Sequence, residues 1–384
     1  MSFSGKATYS AGATMPEIAE DVSDLVSIVS PYETPLLDAL GDPMRVARST
    51  VHEWLEDELL PNFDIISGVI TDGLNQTTLE VAHVNRFRSG DQLRAAGSRE
   101  TMLVVTINVL TATITVVRGY GGSTKEALVT GVELRIIGNA ALEGDAADAA
   151  RFTARSRKQN YTQIFSATVE VSGSELASQQ LGVADEMNYQ KQLRVRELLR
   201  DLENSVINGR SAAVNPAGSS TTRRTMNGLI SMILTNYLRP GQGGMPMGEV
   251  VTEETLNTAL RAIWMNSGSP ADLILVAPTQ KRQINGFMAA SRRYAGHDER
   301  FSDLVNVYES DFGVCRVVLN RYVPTGTVLL LNTSHIDVLP LAGRSFFYKP
   351  LATSGDRESG QIIGEYTLEL RNENAHGMIS GLNA

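Results

Sequence analysis

The sequence predicts an α+β protein with a small all-β module inserted into it, on three observations. Apolar residues keep helical spacing through one long stretch, Asp185 to Asn208. They switch to a period of two between Leu79 and Ala140, and from Glu253 to Leu341 helical and strand patterns alternate. The bulk composition agrees with that class. At about 150 residues per domain, the 384 residues provide two or three domains. With 42% hydrophobic and 20% charged residues the composition is globular rather than disordered. No apolar run approaches the roughly 20 residues of a membrane span. The 34 Lys and Arg against 43 Asp and Glu leave a net charge of -9, which argues against a main task of coating nucleic acid. The start, MSFSGKATYSAGATMPE, lacks the charged-then-apolar pattern of a signal peptide and the long charged helix of a fused scaffolding domain, so neither is expected. Cys315 is the sole cysteine, so no intrachain disulfide or multi-cysteine metal site can form, and folding in a reducing cytoplasm is expected.

Residues 1–50 read as an arm. In TMPEIAEDVSDLVSIV, Thr14 and Glu17 have capping-box spacing, and Ile18, Val22, Leu25, Val26 and Val29 share one helical face. Ser30-Pro31 ends that helix; Thr34-Pro35 starts a shorter one through Leu36, Leu37 and Leu40, which Gly41 stops. Neither helix can bury its stripe alone, so the arm is expected to lie on the rest of the fold or on a neighbouring chain. The period-two stretch contains MLVVTINV and TATITVVRG around a turn near Asn108 to Leu110, with DQLRAA before and VELRII after. That predicts a small antiparallel barrel or sandwich of about 60 residues. Beyond it, ALEGDAADAARFTARSRKQNYTQI is polar, poor in core positions and reads as an extended loop.

The long helix has its apolar stripe at Val195, Leu198, Leu199, Leu202 and Val206, with Gly209 as a left-handed stop. Glu197, Arg200 and Glu203 lie on another face at i, i+3 spacing, a weak support for the helix. At 1.5 Å per residue it is roughly 36 Å long, a strut for the domain. NGRSAAVNPAGSSTTRRTMNG is a loop. Glu253 to Met265 is an amphipathic helix through Leu256, Leu260, Ile263 and Trp264, stopped at Gly268. LILVAP is a buried strand, Thr279 to Met288 a helix, and VNVYE, GVCRVVLN, TVLLLN and IDVLPL are strands. From Ser345 the chain is strand-rich, with IIGEYTLELRN long enough to cross a sheet.

The search for chemistry finds no constellation. His52, His83, His297, His335 and His376 have no metal-ligand spacing and read as polar surface or turn residues. Ser334, His335 and Asp337 hold the letters of a triad but are too close along a strand to align as one. RGYGGSTKEA fails the phosphate-loop spacing and reads as a glycine-rich hairpin tip. GDAADAA and SGDRESG lack the calcium-loop pattern. The sequons at Asn75, Asn160 and Asn332 have no meaning without export, and Arg223-Arg224 and Arg292-Arg293 read as solvated faces.

Taken in order, several segments carry a resemblance. They are SPYETPLLDALG (Ser30 to Gly41), STVHEWLEDEL (Ser49 to Leu59), the EGD at Glu143 to Asp145 and QIFSATVEVSGSE (Gln163 to Glu175). The strut helix, VYESDFGVCRVVLNRYVP (Val307 to Pro324) and LATSGDRESGQIIGEYTLELRNENAHGMISGL follow. Together they resemble the major capsid proteins of tailed double-stranded DNA phages, which have the Hong Kong 97-type fold. The resemblance implies an N-terminal arm (1–50), an extended loop (51–71 and 141–175) and a peripheral domain (176–248 and 342–384) with a spine helix at about 185–208. It also implies an axial domain (249–341). The β module (72–140) departs from the shortest members and reads as an insertion on the extended loop, decorating the outside or bracing neighbours.

The implied function is structural and not enzymatic: a subunit that self-assembles as hexamers and pentamers of an icosahedral head. Its implied partners are portal, scaffold and decoration proteins, with packaged double-stranded DNA nearby but bound without sequence specificity. No cofactor, metal or membrane is implied. The place is the virion, after assembly in the host cytoplasm. An encapsulin-like shell of a cellular nanocompartment, or a decoration or tail protein, is the alternative. The residues expected to anchor assembly or structure are Ile18, Val22, Leu25, Pro35, Trp54, Glu143, Asp356, Glu365 and Arg371.

Overall fold

The computed structural model describes residues 34–43, 45–57, 59–144, 153, 155–177, 185–292, 307–352 and 355–383. The chain divides into two compact units, one holding the residues up to Trp54 together with those from Arg157 onward, the other Leu55–Ser156. The first described helix, α1 (Pro35–Leu40), begins with proline at the position where a missing N–H costs nothing, and Gly41 ends it at φ 74°. Strand β1 (Val51–Glu56) then leads by sequence into the second unit.

That unit contains β2 (Phe63–Ile65), β3 (Thr78–Glu80), β4 (Asp91–Ala95), β5 (Met102–Asn108), β6 (Thr113–Val117) and β7 (Glu133–Asn139) in the antiparallel order β2-β7-β4-β5-β6-β3. The outer strands are joined by a bridge between Ile66 and Val81. Ser67 N–H donates to Glu80 O at 3.0 Å and Ala82 N–H to Ile65 O at 3.1 Å across the same seam. The sheet therefore closes as a barrel without a free edge. Alternate residues such as Leu79, Leu93, Met102, Val104, Ile114, Val116 and Leu134 fill its interior. The expected start of this module at residue 72 is too late, because β2 is part of the barrel. Its FDI pattern is inverted: Phe63 and Ile65 face out, while Asp64 is buried and accepts the backbone N–H of His83 at 2.6 Å.

One buried ion pair ties the loops of the barrel. Arg118 engages all five of its donors: Nε and Nη2 donate to Glu100 at 2.8 and 2.7 Å, Nη1 to the carbonyls of Gly73 and Gln76, and Nη2 also to Glu126 O. Glu100 accepts two further backbone N–H groups, from Gly119 and Glu126. The glycine-rich segment after Arg118 thus closes over a side chain, with Gly119 at φ 67°.

The first unit resumes with β8 (Ser156–Tyr161), which pairs with β1, and continues through β9 (Gln163–Ser172), α2 (Gly173–Ala177), α3 (Glu186–Asn208), α4 (Leu229–Met232), β10 (Tyr237–Leu238) and α5 (Glu253–Ser267). It goes on with β11 (Leu273–Val276), α6 (Pro278–Arg292), β12 (Val307–Ser310), β13 (Gly313–Leu319), β14 (Val328–Leu331), β15 (Ile336–Pro340), β16 (Phe347–Pro350), β17 (Arg357–Leu370) and β18 (Gly377–Ile379). A six-stranded sheet in the order β10-β18-β14-β11-β13-β12 separates two cores. Because side chains alternate along a strand, Leu273, Leu275, Leu329 and Leu331 join Leu198, Leu202 and Val206 of α3 on one face. Ile274, Val276, Val328 and Leu330 join Leu256, Leu260 and Ile263 of α5 on the other. Burial on both faces is why LILV and VLLL read as unbroken apolar runs. A second sheet is built on β17, which pairs with β9 on one edge and with β16 and β15 on the other.

Three expectations change here. The stretch expected as an extended loop contains two strands, β8 and β9; in β9, Phe165, Val169 and Val171 enter the core on alternation. Boundaries at 249 and 342 do not divide this unit, since β10 and β18 extend the sheet of β11, β13 and β14. The long helix is capped by Asp185, which accepts Asn188 N–H at 3.0 Å, but Gly209 is not left-handed; its φ is -56°. Glycine is needed there for space, because a Cβ would lie 2.4 Å from Ser205 O and 2.7 Å from Met226 O.

Candidate assembly anchors

Strand β17 has two unlike faces. Ile362, Leu368 and Leu370 enter the core, whereas Glu365, Thr367 and Glu369 form a buried polar row on the opposite face. Glu365 accepts the Thr162 hydroxyl at 2.6 Å and pairs with Arg344 at 2.8 Å and with Arg224. The Thr367 hydroxyl donates to Tyr161 O at 3.0 Å. Glu369 pairs with His52 at 2.5 Å, Arg45 at 2.9 Å and Arg371 at 3.3 Å. Asp337 of β15 shares the same arginines, Arg45 at 2.5 Å and Arg371 at 3.0 Å. Below the row, the Asn160 amide donates to Leu368 O and Asn227 O and its oxygen accepts Asn227 N–H.

The consequence is mechanical: the arm segment carrying Arg45 and His52, strand β8, and the loops carrying Arg224 and Arg344 are all fastened to one strand. Burial alone would raise the Glu369 carboxyl. Hydrogen bonds from His52 and Arg45 outweigh it and hold the group below the usual carboxylate range. Hydrogen bonds to Asp337 and Glu369 raise Arg45 in turn. The described residues contain no cluster of three or more His, Cys, Asp or Glu placed to hold a metal ion. No described helix is long and apolar enough to cross a membrane.

A second fastening involves a residue expected on the helix face away from the apolar stripe, as a weak support for the helix. Glu203 is fully buried and accepts the N–H groups of Leu36 at 2.7 Å and Leu37 at 2.9 Å, together with the Asn320 amide at 2.5 Å. It holds α1 on α3.

The sequence of the whole chain decides what such fastenings serve. A model of the SU10 major capsid protein family matches residues 4–383. The chain belongs to that family. It is 22% identical to the major capsid protein of Escherichia phage Phieco32 over 285 residues, 63% of this chain and 80% of that protein. Among solved structures it is similar to the cyanophage A-1(L) capsid asymmetric unit, with a TM-score of 0.52 and 12% identity over 96% of this chain and 98% of that one. It is also similar to a chain of Gordonia phage Cozz, with a TM-score of 0.51 and 11% identity over 100% and 99% of the two chains. The fold is the Hong Kong 97-type capsid fold, and the protein is a phage major capsid protein, a self-associating component of the virion shell.

The expected anchors of this capsid subunit fare unequally. Glu365 and Arg371 belong to the buried ionic row. Trp54 is mostly buried, its ring 5.9 Å from that of His52, and Pro35 opens α1. Asp356 is exposed in the turn before β17, where its carbonyl accepts Gly173 N–H at 3.1 Å. Glu143 is exposed on a turn. Ile18, Val22 and Leu25 lie outside the described residues.

The sequence reading missed Arg45, His52, Arg344 and Glu203, and placed Arg224 on a solvated face although it pairs with Glu365. One signal was present. Two acids four apart, Glu365 and Glu369, flanked by Ile362, Ile363, Leu368 and Leu370 on a strand long enough to cross a sheet, require cations, although spacing does not say which ones. His376 is another correction to the surface reading of the histidines. It is fully buried, accepts Asn332 N–H at Nδ1 and donates from Nε2 to Arg371 O, and burial pushes it down to about 4. Burial likewise pushes the Cys315 thiol up to about 12, which makes it inert.

Proposed function

We propose that this capsid protein tiles an icosahedral phage head as hexamers and pentamers around packaged double-stranded DNA, as a structural and non-enzymatic subunit. The family match across residues 4–383 carries the reading. In this reading α3 is the spine helix. The paired strands β1 and β8 are the root of an extended loop that bears the barrel. The anchors Pro35, Trp54, Glu365 and Arg371 keep the arm and loop root in register while neighbouring copies pull on them. Closed barrel topology supports an insertion that folds on its own. A net charge of -9 suits a wall that contains DNA without gripping it, since each cationic phosphate contact would hinder packaging. Modest contacts repeated around a shell become collectively stable by multivalency. Portal and scaffold proteins are the partners at assembly, in the host cytoplasm.

Sedimentation velocity on the full chain expressed alone, with negative-stain imaging of the fastest species, tests this. Closed shells, rings or tubes are the expected result. A monomer or dimer that persists on co-expression with the neighbouring phage head genes overturns the reading.

A further inference from the structure

The outer face of the barrel carries an arrangement that the barrel itself does not need. Arg94 of β4 and Arg135 of β7 stand directly opposite each other across an antiparallel pair, and like charges so placed destabilise a sheet. Arg135 meets Glu133 of its own strand at 3.0 Å, and Arg94 has no ion pair among the described residues, so one positive charge stays unmatched. Apolar side chains border the pair. Phe63 and Ile65 of β2 lie opposite Arg135 and Glu133, and both are exposed. Ile137 is an extra residue between Ile136 and Gly138, which pair with Leu93 and Gln92; such a bulge re-aims a side chain, and this one is half exposed. An open cavity of about 490 Å³ lies between these residues and the turn at 95–98. That turn is held firm: Glu100 N–H donates to Ser98 Oγ at 3.0 Å, and the Glu100 carboxylate is fixed by Arg118.

The chain supplies the complement to this face. Residues 55–60, LEDELL, set three acids between leucines, and Leu55 and Leu59 are 62% and 94% exposed. In its own subunit Asp57 meets Arg155 at 3.7 Å, both side chains being exposed, and such a pair is weak enough to be exchanged for a better-placed cation. We propose that the outer face of β2, β7 and β4 is a docking surface for a second copy of this chain: Arg94 and Arg135 clamp a carboxylate of that copy's residues 55–60, and its leucines cover Phe63, Ile65 and Ile137. One carboxylate offers an oxygen to each guanidinium and relieves the repulsion between them. Both halves of the contact lie in the unit Leu55–Ser156, so two copies can exchange them about a two-fold axis or pass them on around a ring. Nucleic acid is a poorer fit. A phosphate strand needs several cations, whereas this unit has more acidic than basic residues and flanks its two arginines with apolar side chains. The inference rests on the self-association proposed above and names a surface that serves it.

Carbodiimide coupling of the full chain tests it, since the reagent joins an amine to a carboxylate in contact. Arg94→Lys and Arg135→Lys each supply an amine at an exposed position, which leaves the barrel core intact. The expected result is a covalent dimer on a denaturing gel whose mass-spectrometric map joins the substituted position to residues 55–60, a product absent from wild type. Adding Glu56→Gln, Asp57→Asn and Glu58→Gln together should abolish it. Couplings between copies through the native lysines report association at other surfaces. If those form and the product does not, the docking surface is overturned while the shell reading stands; if no copies couple at all, both fall. A product found only in the monomer band also overturns it, as does retention of a DNA oligonucleotide that Arg94→Glu abolishes.

Discussion

Two buried glutamates, one in each unit, meet the same physical problem with different partners. Glu100 in the barrel and Glu203 on α3 are 1% and 0% exposed. Burial would raise Glu100, but the Arg118 guanidinium and two backbone N–H groups outweigh it and hold the carboxyl below its usual range. Glu203 has nearly as many hydrogen bonds but no cation among the described residues, and burial raises it to about 7. Burial sets the cost of a charge, and hydrogen bonds from neutral groups offset only part of it. A full opposite charge makes the difference. The same rule explains why the acids of β17 gather arginines.

The substitution Arg118→Met attacks this comparison where the effect is largest, because it makes Glu100 a second Glu203. A loss of about 3–5 kcal/mol is expected, read as a lower urea midpoint for the exchange of amides in β4 to β7. A loss below about 1 kcal/mol would mean that the pair does not hold the barrel loops together. Next comes acid. His376 has a folded value of about 4, below its ordinary 6.5, so its stabilisation is complete above about pH 6.5 and is lost as pH falls toward 4. That loss is at most about 3 kcal/mol. Glu369 and Glu100 also have lowered values, so their contributions are complete above the usual carboxylate range and are lost as pH falls through the folded values. In His376→Gln the slope of the denaturation midpoint between pH 6.5 and 4 should flatten; an unchanged slope assigns the acid loss to the carboxylates.

Glu369→Ala should cost less, about 1–3 kcal/mol, because Arg45 is half exposed and water can replace its partner. Thermal denaturation near pH 7 measures it, and a change within error would mean that Asp337 alone suffices for Arg45 and Arg371. A similar cost, about 1–3 kcal/mol at pH 7, is expected for Glu203→Gln, because the glutamine –NH2 cannot accept the backbone N–H groups that both carboxylate oxygens accept. Glu203 adds stability that is complete below about pH 4.5 and is lost as pH rises through about 7. The glutamine variant should therefore gain on the wild type above pH 7, and equal stabilities at pH 6 and 8.5 would place Glu203 outside the titrating groups.

Much of the fold was legible because some residues have only one comfortable place. Pro35 at a helix start, Gly268 at φ 66° closing α5, and the runs LILV and VLLL each specify a local structure without reference to distant residues. The barrel was legible as alternation but not in its extent. Its first strand turns an aspartate inward, and Arg86 with the backbone and ring of His83, some twenty residues away, make that tolerable. Gly209 was legible as special but for the wrong reason, since the requirement comes from the carbonyls of Ser205 and Met226 and not from its own φ. Glu365 and Arg371 were singled out in the sequence, but their ion-pair partners were not. An ion pair across 141 positions, such as Arg224 with Glu365, leaves no periodic trace.

By itself the sequence determined the class of protein, the order of its elements and the insertion of an all-β module, because hydrophobic period, caps and turn residues act over a few positions. It also carried the family resemblance, which rests on ordered segments along the chain. Only the tertiary structure decided which charges are paired, where the barrel closes and that Glu203 meets only neutral partners among the described residues. Those outcomes depend on groups far apart in sequence converging in low dielectric, where a single missing or present counter-charge changes the sign of the result.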